Sequence, residues 1–243
     1  MMIREAMGVF WQTLKDTWEE LYSLAIVNLA WLFAFLIPLS LAYLLVGNAG
    51  LVWLSVPFLL AAIALFPMTV AGMYVVTNRV AHGKTFHFSD FIAGIKTYWW
   101  RSVLWFLGNI VFFVLIYANL VFYPSQFEGS WVVLVGGLWL AVLVFWLTMQ
   151  TYFWPLLIEQ ENPRMLLAWR NAAYMVLANP FYAFFTGVFS LIFLAISIGL
   201  GLIPLAFVGV VLQAVLASNA VLTLLVKFKL IEEVRPAPMT DGR

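Results

Sequence analysis

The chain of 243 residues carries 12 Lys+Arg and 11 Asp+Glu, only 9% charged, against 65% hydrophobic residues and a mean hydropathy of +1.02. Soluble domains carry about 25% charged residues, so a water-soluble fold is excluded for want of polar surface. A formal net charge of +1 excludes the strong field that nucleic acid requires, and the absence of cysteine excludes disulfides, thiolate catalysis and cysteine metal sites.

In chain order, residues 3–20 predict an amphipathic helix. Met7, Trp11, Leu14, Trp18 and Leu21 recur at helical spacing, with Glu5, Gln12, Asp16 and Glu19 on the other face. Four charge-free runs follow: 21–78, 102–127, 129–158 and 171–226. A spanning helix needs about 20 apolar residues, so the long runs hold two spans each and the middle runs one. Gly47-Asn48-Ala49-Gly50 divides the first run and Gly199 to Pro204 the last. Six spans are expected, at about 21–46, 51–78, 102–123, 131–158, 181–200 and 204–226, with a tail over 227–243. The apolar 199–204 break reads either as an outer loop or as a re-entrant turn.

The intervening loops predict further amphipathic helices on the same side. Ser89 is the expected N-cap of one, with Phe88, Ile92, Ile95 and Trp99 as its stripe; Asn162-Pro163 opens another, with Met165, Trp169, Ala172 and Val176. Lying in the interface, these would turn rings toward headgroups and charges toward water. Trp18, Trp99, Trp100, Trp154 and Trp169 are the expected interfacial anchors, with Tyr152 among the rings at the inner boundary. The sequence therefore describes one all-α integral membrane domain, residues 1–243. Its layout of interfacial helix and hairpin recurs three times; sliding Phe10–Asn28 onto Phe91–Asn109 aligns Lys15 with Lys96 and Asn28 with Asn109, which leaves a three-fold repeat and chance similarity both open.

All twelve Lys and Arg lie at the N-terminus, in the second and fourth loops or in the tail. The positive-inside rule then places both termini in the cytoplasm of a cell (plasma) membrane protein, and the 26-residue first apolar segment is too long for a cleaved signal peptide.

Ionisable residues inside a membrane are the usual functional pointer, and no predicted span contains one. The neutral polar residues Asn28, Asn109, Gln150 and Gln213 are the candidate intramembrane site, read either as a polar pathway or as interhelical hydrogen bonds. His82, His87 and Asp90 fall short of a metal site. Glu159 and Glu161 beside Arg164 read as helix-end charges, and no catalytic motif is present. Ala195/Gly199 and Ser197/Gly201 are small-xxx-small pairs that predict close helix packing. Pro38, Pro57, Pro67, Pro155 and Pro204 read as hinges of broken helices or as ordinary kinks. No catalytic activity, cofactor or metal is expected.

Pro67-Met-Thr69-Val-Ala-Gly72-Met-Tyr74, followed by Gly83, Asp90-Phe91 and Lys96, resembles the YesL-like family of small bacterial multi-span membrane proteins. Asn28-Leu-Ala-Trp31 and Arg170-Asn171-Ala172 fit the same pattern. The first hairpin departs from it, because about one extra span separates the Asn-x-x-Trp and Pro-x-Thr segments. The resemblance implies a protein of unestablished activity, some of whose relatives are linked to sugar uptake. With the composition, it points to a non-enzymatic accessory or assembly component of a solute (carbohydrate) transport system. Its partners would be the lipid bilayer and either transporter subunits or a second copy of itself. The alternative is a small neutral-solute transporter or channel.

Overall fold

The computed structural model describes residues 2–47 and 50–232, and its order is helical throughout. Asn48 and Ala49 of the expected first turn, and tail residues 233–243, lie outside the described residues. The helices are α1 (Met2–Glu19), α2 (Leu21–Val46), α3 (Val52–Ala81), α4 (Phe88–Gln126), α5 (Ser130–Ile158), α6 (Met165–Ala178) and α7 (Pro180–Gly199). A π-helical turn, Leu205–Gly209, leads into α8 (Val210–Lys227). Among the described residues, six segments are long and apolar enough to cross a membrane, namely α2, α3, α4, α5, α7 and Leu205–Lys227. The chain is an all-α, multi-pass membrane protein.

The stretch expected as an interfacial helix in the second loop is instead the start of α4. That helix has 39 residues, about 58 Å at 1.5 Å per residue, against a hydrocarbon thickness of about 30 Å. Its charges, Asp90, Lys96 and Arg101, all fall before Ser102. The N-cap is His87, not Ser89: the Asp90 carboxylate accepts the His87 backbone N–H at 2.8 Å, which closes a capping box and leaves Ser89 inside the first turn. Likewise α6 opens at Met165, later than Asn162-Pro163, with Arg164 at its N-cap position.

Helix α8 is the pole of the bundle. It buries thirteen residues, and its Ala214, Ala217, Ser218 and Ala220 let neighbouring backbones approach, since packing in lipid rests on close contact and not on hydrophobic transfer. Helices α3, α7 and α1 each add polar contacts to it. Thr77 of α3 meets the Ser218 hydroxyl at 3.2 Å, Tyr182 of α7 donates its hydroxyl to the Ala220 carbonyl at 3.1 Å, and Gln213 donates to the Ser190 carbonyl at 3.2 Å. Helix α1 contributes Asp16, whose carboxylate accepts from Asn219 at 2.9 Å and from Gln12 at 2.6 Å. At its far end, Lys227 pairs with Glu5 at 2.7 Å.

On α1 the rings lie outward as expected, but Asp16 of the polar face is buried in the protein and does not turn toward water. Ala6, Val9, Thr13, Asp16 and Thr17 face the protein, whereas Met7, Trp11 and Trp18 point outward. Small and polar groups form the helix–helix contact, and rings that find lipid as congenial as protein are left outside. The stripe on α6 turns inward: Ala172 and Val176 are buried and Trp169 is half-buried against Phe153 and Trp146. Trp18, Trp99 and Trp100 are exposed, as anchors must be. Trp154 is only 1% exposed, stacked on Tyr74 and edge-on to Trp105, and Tyr152 is equally buried. Neither of these reaches an interface; they are core residues.

The helices run unbroken through Pro38, Pro57, Pro67 and Pro155. The break is at Pro204, after a turn in which Gly201 and Leu202 take positive φ. That turn lies on the flank of α2. Asn28, bonded to Leu205 and Ala206, is followed by eighteen more residues of α2, about 27 Å of helix.

Candidate functional site

The four polar candidates resolve into two arrangements. Asn28 is fully buried and stands apart from the others. Its Nδ2 donates to the Ala206 carbonyl at 2.6 Å and the Leu205 carbonyl at 3.2 Å, and its Oδ1 accepts the Val211 N–H at 3.0 Å. A π-helical turn displaces backbone groups from their regular partners, and inside a membrane such groups must be satisfied by protein. Asn28 does this with both ends of its carboxamide. Its role is structural.

Asn109 and Gln150 come together between α4 and α5. The Trp146 indole donates to Asn109 Oδ1 at 2.9 Å; Asn109 Nδ2 donates to the Trp105 carbonyl at 2.8 Å and faces Gln150 Oε1 at 3.4 Å. The Trp105 indole also donates to Gln150 Oε1, at 2.7 Å. Because an indole N–H can only donate, both carboxamides are fixed in orientation. Gln150 Nε2 is therefore turned away from this network, and it is buried without a partner.

Gln150 and Gln213 line one cavity of about 310 Å³ bounded by α3, α4, α5, α7 and α8. Tyr74, Thr151, Trp154 and Ser190 complete its polar wall, with Val70, Met73 and Leu147 among the apolar residues. The Trp154 indole N–H is, like Gln150 Nε2, buried and unpartnered. Both residues line the cavity, and none of its lining residues is charged. Its volume is at the small end of ligand sites, its lining holds no carboxylate or imidazole, and no cluster that could hold a metal ion occurs among the described residues. Asn28 and Asn109 do not line it; Asn109 instead steadies Gln150.

Sequence reasoning named both glutamines, took Trp154 for an interfacial anchor and missed Trp105 and Trp146. The signal was present: Trp146, Gln150 and Trp154 recur every four residues, as do Trp105 and Asn109, so each set shares one helix face. The aligned pair Asn28 and Asn109 have unlike partners, a backbone turn in one case and indoles in the other. No protein-family model matches the chain, and neither the curated proteins nor the solved structures give a significant match.

Proposed function

We propose that this protein binds a small uncharged molecule bearing carbonyl, ether or hydroxyl oxygens in the cavity between Gln150 and Gln213, as a neutral-solute transporter or channel would. The observation that carries this reading is an uncharged cavity lined by Gln150, Trp154 and Gln213, two of which hold a buried donor without a partner, Gln150 Nε2 and Trp154 Nε1. Buried donors are normally paired, and a ligand oxygen is the complement they lack. Exchanging Gln150 for leucine together with Trp154 for phenylalanine is expected to weaken saturable binding roughly thirtyfold, from two neutral hydrogen bonds of about 1 kcal/mol each. Equilibrium binding and liposome flux with a panel of polyols and sugars test this. Uptake that is identical in the variant, or absent for every solute with the native chain, would refute it.

A second reading is that of a non-enzymatic accessory or assembly component of a carbohydrate transport system in the plasma membrane, with both termini cytoplasmic. The outward aromatic face of α1 supports it, as does the resemblance to YesL-like proteins. Co-purification in mild detergent with a stoichiometric transporter subunit would favour it, and wild-type sugar uptake after deletion would count against it.

A further inference from the structure

Outside the cavity, a second concavity of about 770 Å³ lies between the N-terminal part of α4 and the segment entering α6. Arg101, Arg164 and Arg170 surround it, over apolar residues that include Trp100, Met165 and Leu166. No acidic side chain lines it, and none of these arginines forms an ion pair among the described residues, whereas Arg79, Lys15 and Lys227 each have a carboxylate partner. The Arg101 guanidinium lies 4.7 Å over the Trp100 ring and 5.8 Å from that of Tyr98. Stacking of this kind fixes the plane of the fork. Its Nε is buried with no partner, and its only hydrogen bond among the described residues is a long one to the Thr97 carbonyl, at 3.4 Å.

The position is as telling as the composition. Arg101 is the last charge before 26 charge-free residues, so the concavity sits where the α4 span meets water. Leu166 is exposed beside the arginines, and Trp99 and Trp100 are exposed on α4. Guanidinium groups bind phosphate oxygens in bidentate fashion, and an apolar rim suits acyl chains.

We infer that this concavity binds the phosphate of an anionic phospholipid headgroup, with the three arginines as donors. Free phosphate shares the anionic chemistry but has no use for the apolar rim.

The test uses the full chain in neutral detergent, titrated with phosphatidylglycerol or phosphatidylcholine while the melting temperature is followed. A saturable rise with phosphatidylglycerol alone is expected. In a variant carrying Arg101→Gln, Arg164→Gln and Arg170→Gln, the apparent affinity should fall roughly a hundredfold, from about 1 kcal/mol per basic group. A control carrying Lys84→Gln, Lys96→Gln and Lys229→Gln removes the same charge elsewhere and should stay within about threefold. Should loss of the Arg101 stack prevent folding, Arg164→Gln with Arg170→Gln leaves that stack intact and predicts roughly a thirtyfold loss. An arginine variant that keeps native affinity, or a lysine control that loses as much, overturns the inference. So does inorganic phosphate giving the same arginine-dependent rise, which would assign the site to the free ion.

Discussion

Leucine in place of Asn28 is expected to destabilise the protein by about 3 kcal/mol, one of the largest effects available from a single polar residue in this chain. The side chain fills both needs of the π-helical turn, giving its amide to the Leu205 and Ala206 carbonyls and its oxygen to the Val211 N–H. Leucine preserves the volume and orphans all three groups, each at a cost of about 1–3 kcal/mol when buried, partly offset by relaxation of the turn. Aspartate is the sharper probe. It still accepts from Val211 but sets a carboxylate oxygen against two carbonyls, so it should rescue nothing. Thermal melting in mild detergent distinguishes the outcomes. Native stability in both variants would mean that the turn satisfies itself.

Five of the six apolar helices begin and end within about three residues of the expected spans, while α4 starts fourteen residues before the expected 102; length, hydropathy and charge placement are the quantities a bilayer selects on. The faces of the helices were not so legible. On α1 the aromatic stripe points outward as read, but the face expected in water does not: Asp16 with Thr13 packs against α8. In water an apolar stripe must find protein; in lipid that force vanishes, and packing follows small and polar residues. Trp154 is the opposite case, a ring drawn inside. Its sequence position near an inner boundary fits a belt residue, but Tyr74 and Trp105 bring it inside, and no local pattern reveals a partner 80 residues away. Gln150 was legible as a polar residue in an apolar run, and its role was not. That role depends on two indoles fixing which end of its carboxamide remains free.

Glycine usage shows the same limit and yields the second large prediction. The glycines of the small-residue pairs at the end of α7 and in the turn after it mark no close crossing: a Cβ added at Gly199 or Gly201 would meet nothing within 4 Å. The real crossing is α3 against α4. A Cβ at Gly72 would lie 2.6 Å from the Phe91 carbonyl oxygen and 2.9 Å from the Ile95 side chain, and one at Gly94 would lie 2.9 Å from the Gly72 Cα. Backbone atoms set two of these limits, so the helices themselves must part. Gly72→Ala is therefore expected to cost about 2–3 kcal/mol, and Gly72→Val more, through overpacking. Gly136 and Gly187 also sit within helices, but in open space. Alanine there should leave stability unchanged or raise it by up to about 1 kcal/mol, the ordinary helix preference for alanine over glycine. Melting the four alanine and valine variants side by side separates the two contributions. If Gly72→Ala behaved like Gly187→Ala, the α3–α4 approach would be looser than described, and Phe91, which the crossing holds against α3, would no longer be fixed by it.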